Sequence, residues 1–398
     1  MKARSPDLDV VVVGAGPAGC ECARRLAQGG FSVVVAEEHA RAGEPLHCTG
    51  IISAQACQAF DLPGSAVECE LEAAELTSPG GITLHVDLNG ARPYVVDRRQ
   101  VDGALASRAH EVGVTFCYST RVEELDVDRW GVTLAGTSAG ESWQVRARAA
   151  VLAGGAKSGL PRQVGLASCR EAMHGAQAEV AAASLPTMRA WVGQQLVPGG
   201  FGWVVPARSG QSRVGVLTQA NPREALLRIA RKALDGRGER LAVEPIRVHP
   251  IPVVPRRPTT TDRVLSVGDA AGQVKMTTGG GVYYGLLGAR IASEVLDEAL
   301  TQDRLSLRHL ARYETLWQQV LGPEQRAGQM LRRVASRVPD ETLDEIFRSA
   351  EARGLSRHLV ELLDFDWHAQ SSLWLALRML ATVPGNGLSL LWLKRLGA

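Results

Sequence analysis

The chain has 398 residues, a formal net charge of +2 at pH 7 and 22% charged residues. It is long enough for two or three domains around a sizeable core, and neither its charge nor its motif spacing argues for nucleic acid or a zinc finger. Its seven cysteines, an odd number without a CxxC pair, argue against a disulfide framework and a structural zinc site and for a reducing compartment. The polar start MKARSPDLD predicts no secretory signal, and no stretch of about 18 uninterrupted apolar residues predicts a transmembrane helix.

DVVVVGAGPAG (Asp9 to Gly19) reads as a buried strand, a glycine turn and a helix that runs through ECARRLAQGG to the Gly29-Gly30 stop. FSVVVAEE (Phe31 to Glu38) follows as a second buried strand, so the two make a βαβ unit with a parallel pair. Gly14, Gly16 and Gly19 form GxGxxG at the strand-to-helix turn, with Pro17 and Ala18 opening the helix. The first glycine permits the tight turn, the second lets backbone amides approach a pyrophosphate, and the third allows close helix-to-strand packing. Glu37, with Glu38 beside it, closes the second strand 23 residues after Gly14, where a carboxylate accepts ribose hydroxyls. The motif alone leaves NAD and FAD open. Between about 62 and 97, segments such as GITLHVDL and ARPYVVD alternate like half-buried strands. Residues 98–111 predict a helix, and GVTFCYS, GVTLAG and SWQVRARAAVLAGG predict strands returning to the first domain. Residues 170–257 read mostly as antiparallel strands with one amphipathic helix near PREALLRIARKALDG. A proline-rich connection, Pro250 to Pro258, then leads to the strand RVLSVGDA, and from about 285 onward the chain is helical.

Three further stretches separate the cofactors. RVLSVGDAAG (Arg263 to Gly272) resembles the second FAD fingerprint of glutathione-reductase-type flavoproteins, which implies a ribityl contact for Asp269 beside Gly268. DRRQVD (Asp97 to Asp102) resembles the arginine-bearing start of the FAD-contacting helix in that class, implying a contact from Arg98. MTTGGGVYYGL (Met276 to Leu286) resembles the loop beneath the flavin in the geranylgeranyl reductase family, with Gly279, Gly280, Gly281 and Val282 under the ring. EPLHCTG (Glu44 to Gly50) is similar to that family's PxxCxG segment, and FGWVVPARSGQSRVGV (Phe201 to Val216) to its substrate motif. The resemblance implies an α/β fold: a Rossmann-like FAD-binding domain, an inserted antiparallel β-sheet substrate domain and a helical C-terminal region. The expected division is 1–61, 96–160 and 258–300 for FAD, 62–95 and 161–257 for the sheet, and 301–398 for the helices.

The implied reaction saturates carbon-carbon double bonds of a prenyl chain on a lipid, quinone or pigment precursor, with hydride from reduced flavin. An isolated alkene is a poor electrophile, so an acid near the ring is useful. The resemblance places Cys48 there, to position substrate, relay a proton or tune the flavin; its bland alternative is a small buried hydrophobe. His47 alternates to the opposite face and reads as structural. Phe201, Trp203 and Pro206 would line the substrate tunnel, and the gap to Val214 suits a hairpin that sets Trp203 and Val214 on neighbouring strands. Lys275 suits a phosphate or solvent. Where related flavin hydroxylases carry Ala-Asp-Gly-x-x-Ser, this chain has Gly154 for the Asp, which lowers a hydroxylase reading and leaves NAD(P)H and reduced ferredoxin both open as electron donor. Trp374, Trp392, Lys394 and Arg395, in the segment Ser371 to Ala398, suit an interfacial helix or an ordinary helical pair. The expectation is a cytoplasmic protein, peripheral on the inner membrane face, with no nucleic-acid partner. Other readings are an electron-transfer flavoprotein to quinone, whose usual cysteine run for an iron-sulfur cluster is missing, a flavin monooxygenase or halogenase, and a non-catalytic flavin-bound isoprenoid carrier.

Overall fold

The computed structural model describes residues 8–46, 48–88, 92–167, 172–181, 187–234, 245–254, 256–354 and 364–373. Two compact units emerge, each assembled from three stretches of chain.

The first comprises Met1–Val67, Val96–Met173 and Pro250–Pro323. Its central strand, Leu8–Val13, runs parallel to Val33–Ala36 on one side and to Glu141–Leu152 on the other. The parallel sheet continues to Thr115–Cys117 and to Val264–Ser266. Val10, Val11 and Val12 are fully buried, as a strand covered on both faces requires, which explains the unbroken apolar run. The long strand Glu141–Leu152 also carries an antiparallel meander through Val132–Ser138 and Thr120–Val127. Helix Pro17–Gln28 starts with proline in its first turn, where the missing N–H is harmless, and buries Ala18, Gly19, Cys20, Cys22, Ala23 and Leu26. The predicted helix at 98–111 forms over those residues, capped by the Asp97 carboxylate, which accepts the Arg99 N–H.

The second unit comprises Glu68–Val95, His174–His249 and Glu324–Ala398. It contains the strands Met188–Val192, Phe201–Pro206 and Gln211–Thr218, antiparallel in sequence, with Ala73–Thr77 and Thr83–Asp87 at one edge. The expected antiparallel sheet is present, interrupted by a parallel joint between Met188–Val192 and Ala73–Thr77. Val204, Val214 and Val216 bury one face under Ala225, Leu226 and Ile229 of the amphipathic helix Pro222–Leu234. Helix Asp340–Ala352 packs Phe347 and Ala350 on Leu84. Asp344 of that helix accepts the Ser78 hydroxyl at 2.6 Å and the Gly80 N–H at 2.7 Å.

The fold class read from the sequence therefore holds. The proposed interfacial residues Trp374, Trp392, Lys394 and Arg395 lie outside the described residues, as do His47 and Cys169. Among the described residues, no helix is long and apolar enough to cross a membrane.

Candidate functional site

The three glycines of the first turn meet three different surroundings. A Cβ on Gly14, where φ is +105°, would lie 2.6 Å from the Ala153 carbonyl oxygen, and one on Gly19 would overlap the Gly14 carbonyl oxygen. A Cβ on Gly16 would touch nothing within 4 Å. Gly14 and Gly19 are thus small for the protein's own packing, whereas Gly16 opens the helix N-terminus to the outside. The Glu37 carboxylate, 8% exposed, sits beside this turn. It accepts the Ala15 N–H at 2.7 Å through one oxygen, and the His39 N–H and Nδ1 through the other, at 3.0 and 2.6 Å. Glu38 is exposed beside it. Cys20 donates its thiol to the Ala15 carbonyl, and burial pushes both neighbouring thiols up, Cys22 to about 12. Both therefore serve packing.

The second fingerprint meets the first through its smallest residues. Cβ atoms on Gly268 and Gly285 would lie 3.1 and 3.5 Å from the Ala18 Cβ, so helix Val282–Thr301 presses close to the start of helix Pro17–Gln28. Gly268 has φ of +63° and is fixed by a buried chain that sequence reading missed. Its N–H donates to Gln273 Oε1 at 2.7 Å, Gln273 Nε2 donates to the Tyr313 hydroxyl at 2.8 Å, and that hydroxyl donates to the Ser266 carbonyl at 2.7 Å. Asp269 points its Oδ1 toward Gly281, where a Cβ would come within 2.7 Å. Burial pushes the Asp269 carboxyl up, partly opposed by Arg256 and then Arg98. Arg256 is 4% exposed and ties the turn down by donating to the Ala270 and Ala156 carbonyls. The loop before the helix closes on itself, the Gly279 N–H donating to the Lys275 carbonyl and the Lys275 N–H to the Gly280 carbonyl, both at 2.9 Å. Lys275 is buried. Gly281 caps helix Val282–Thr301 without a side-chain acceptor, so its first amides are turned toward whatever lies before it.

On either side of Cys48 the chain is held, by Gly43 against helix Arg98–Glu111 and by Gly50 against Val96 in the strand just before it. Gly43, at φ of +80°, approaches Arg99 Cα and Asp102 Cβ so closely that a Cβ would lie 3.1 Å from each, and at Gly50 a Cβ would overlap the Val96 carbonyl. Between these two contacts Cys48 is half-exposed. The Gly50 N–H reaches its sulfur at 3.4 Å. Arg98, 9% exposed, donates Nε and Nη2 to the two oxygens of Asp102, each at 2.9 Å, and lies near enough to Cys48 for the sulfur to act on its charge. Burial alone would lower the Arg98 guanidinium, but Asp102 and then Cys48 outweigh it and raise it above its ordinary range. The result is a permanent cation held against a thiol.

In the second unit, strand alternation sends Phe201 and Trp203 to one face and Pro206 to the other. Trp203 and Val214 do lie on neighbouring strands, but the residue directly opposite Trp203 is Gly215. A Cβ there would overlap the indole, so the ring lies flat over Gly215, with Phe201 beside it at a centroid distance of 5.1 Å. Sequence reasoning singled out Val214 and not Gly215, although the spacing after the aromatic pair was the signal for it.

An open glycine at a helix N-terminus, two helix starts brought together through Ala18, Gly268 and Gly285, and carboxylates at Glu37 and Asp269 fit an extended dinucleotide. Comparison with known proteins agrees. Residues 7–315 match the FAD binding domain family. The chain is 33% identical to digeranylgeranylglycerophospholipid reductase 1 of Methanopyrus kandleri, over 85% of this chain and 93% of that one. It is 30% identical to digeranylgeranylglycerophospholipid reductase 2 of Methanothermobacter thermautotrophicus, over 87% and 93%. Its fold is similar to that of a geranylgeranyl bacteriochlorophyll reductase-like protein from Thermoplasma acidophilum, with a TM-score of 0.83 at 20% identity and coverage of 98% and 99%.

Proposed function

This chain belongs to the geranylgeranyl reductase family of FAD-dependent oxidoreductases, and from that premise we propose that it saturates double bonds in the prenyl chain of a lipid, quinone or pigment precursor. The observation that carries the reading is the half-exposed Cys48, held by Arg98 and the Gly50 amide in the unit that also holds both helix starts. The turn Gly14 to Gly19, with Gly16, Pro17 and Ala18 foremost, would receive the pyrophosphate, and Glu37 with Glu38 the adenosine ribose. Asp269 beside Gly268 would hold the ribityl chain, and Gly279, Gly280, Gly281 and Val282 would lie beneath the ring, with Arg98 and Cys48 at its edge. When bound and reduced, FAD supplies the hydride that adds to one alkene carbon.

The chain's own residues must then exclude water and bring a proton to the other carbon. In this reading Cys48 would deliver that proton from Sγ, and the charge left on sulfur would face the Arg98 guanidinium and the Gly50 N–H. Asp102 keeps Arg98 turned toward that position through two hydrogen bonds. The flat indole of Trp203 and the ring of Phe201 offer an apolar surface for an isoprenoid, while Pro206, on the other face, supports the strand. NAD(P)H or a reduced ferredoxin serves as electron source, and a lipid-soluble substrate sets the working place at the cytoplasmic membrane surface. The test is anaerobic incubation of the dithionite-reduced holoprotein with geranylgeranylated glycerophospholipids and menaquinone, read by mass spectrometry. A gain of two hydrogens per reduced bond is expected; unchanged lipids, or oxygen-dependent hydroxylation or halogenation instead, sink the proposal.

A further inference from the structure

A corner of the first unit, built from residues given no role above, consists of two loops cross-braced by one arginine, Arg263. Arg263 occupies a turn at φ of +62°, the left-handed region that strains a non-glycine residue. Its side chain offsets that strain: Nη2 donates to the Arg129 carbonyl at 2.7 Å and Nη1 to the Arg148 carbonyl at 3.0 Å. Its own N–H donates to the Leu305 carbonyl at 2.7 Å, and the neighbouring Asp262 carboxylate accepts the Leu307 N–H. The hairpin tip at 128–131 and the loop at 302–307 are thus fixed side by side.

What they display is amphipathic. Trp130 is 50% exposed and Leu307 43% exposed, two of the three exposed large hydrophobic side chains among the described residues. Arg129 lies over the Trp130 ring, 4.6 Å from its centroid, and Arg304 and Arg308 are exposed beside Leu307. Three acidic groups near them are already engaged. Asp128 accepts from Arg146 at 2.7 Å and Asp303 from Arg148 at 3.0 Å, while Asp262 holds the Leu307 amide. Arg129, Arg304 and Arg308 make no ion pair with any described residue. In a chain whose net charge is only +2, this is a local concentration of unneutralised cation around an exposed indole and a leucine.

We propose that this corner, Trp130 and Leu307 ringed by Arg129, Arg304 and Arg308, is a surface by which the protein rests on an anionic phospholipid bilayer. An indole and an aliphatic side chain enter the headgroup level, where tryptophan is favoured, and the guanidinium groups meet lipid phosphates. Charge complementarity selects the partner: apolar tips alone would suit many surfaces, but the arginines require a negative one. The inference is independent of which lipid is reduced.

The experiment is sedimentation of the FAD-loaded full chain with vesicles of phosphatidylcholine alone or mixed with phosphatidylglycerol, without substrate or turnover. The wild-type protein should bind the mixed vesicles, release as salt rises, and show tryptophan quenching by brominated lipid that a Trp130→Phe variant loses. Replacing Arg129, Arg304 and Arg308 together by Glu should lower the partition coefficient by at least roughly a hundredfold, about fivefold for each arginine removed. Trp130→Ser with Leu307→Ser should weaken binding at constant charge. FAD content and melting temperature, unchanged in these surface variants, report that the fold is intact. Equal binding by the arginine variant, equal binding to neutral and anionic vesicles, or no binding by the wild type overturns the proposal. So does loss of reduction by an acidic electron carrier in the arginine variant while vesicle binding persists, which would assign the corner to a protein partner.

Discussion

Replacing Gly16 by alanine separates folding from cofactor binding. Gly16 has φ of −71°, which alanine adopts freely, and its added methyl would touch nothing within 4 Å. At a helix N-cap, alanine is worse than glycine by a few tenths of a kcal/mol to about 1 kcal/mol, while lost backbone freedom in the unfolded chain returns about 0.4–1 kcal/mol. The two nearly cancel, so the cofactor-free Gly16→Ala protein should melt close to the wild type. The methyl would, however, stand in the place proposed for the pyrophosphate against the helix amides. Losing one charge-assisted hydrogen bond there removes about 1.5–3 kcal/mol, roughly a ten- to hundredfold rise in the Kd for FAD. Gly19→Ala is the contrast, because its methyl would overlap the Gly14 carbonyl and lower the melting temperature of the cofactor-free chain itself. Calorimetry of the cofactor-free proteins and FAD titration by flavin fluorescence measure both quantities. If Gly16→Ala binds FAD as tightly as the wild type, or if it unfolds as early as Gly19→Ala, the assignment of that open space to the pyrophosphate is wrong.

Cys48→Ser should retain FAD but lose about a hundredfold in turnover with a prenyl lipid, within the usual contribution of a positioned acid, and full activity by single-turnover kinetics would remove the thiol from the reaction. Asp269 carries a sign that can be checked against pH. Burial holds its native value above 3.8, so between 3.8 and that raised value the folded chain keeps a proton that the unfolded chain has lost. Its contribution to the stability of the cofactor-free chain is complete below that window and is lost as pH rises through it. Asp269→Asn should flatten this loss in melting curves taken from acid to neutral pH while weakening FAD; an unchanged pH profile would show that the carboxyl is not desolvated. Gly215→Val should drive the Trp203 ring off the sheet, lowering stability by about 1–3 kcal/mol and shifting tryptophan emission, with turnover of long prenyl chains falling further than FAD binding. Unshifted emission with normal turnover would mean that the indole does not depend on that glycine.

The parts of this molecule legible in its sequence are those decided by neighbours along the chain. Gly14, Gly16, Gly19 and Glu37 announced a turn and its carboxylate because strand, glycine spacing and helix are all local, and Asp97 marked the start of the helix over 98–111 for the same reason. What stayed hidden depends on contacts between distant segments. Gln273 and Tyr313 look like any loop amide and helix phenol until the fold stacks them on Gly268. The parallel joint between Met188–Val192 and Ala73–Thr77 leaves no trace in alternation, which is the same for either direction. Cys48 stood between these cases: its motif was visible, but the pinning of its loop by Gly43 against helix Arg98–Glu111 and by Gly50 against Val96 was not.

The assembly of the first unit from three separated stretches constrains how the protein is made. Strand Leu8–Val13 leaves the ribosome well before its parallel partner at 141–152 and that strand's further parallel neighbour at 264–266. Because closing such long loops precedes the contacts that reward it, this sheet belongs to the slowly folding class, with apolar strands exposed in the meantime. The glycine turn is finished early, but Gly268, Gly285 and Tyr313 reach it only after most of the chain has been synthesised. A nascent chain stalled before residue 250 would therefore carry a complete first fingerprint without the residues that close over it, exposing its valines to chaperones instead.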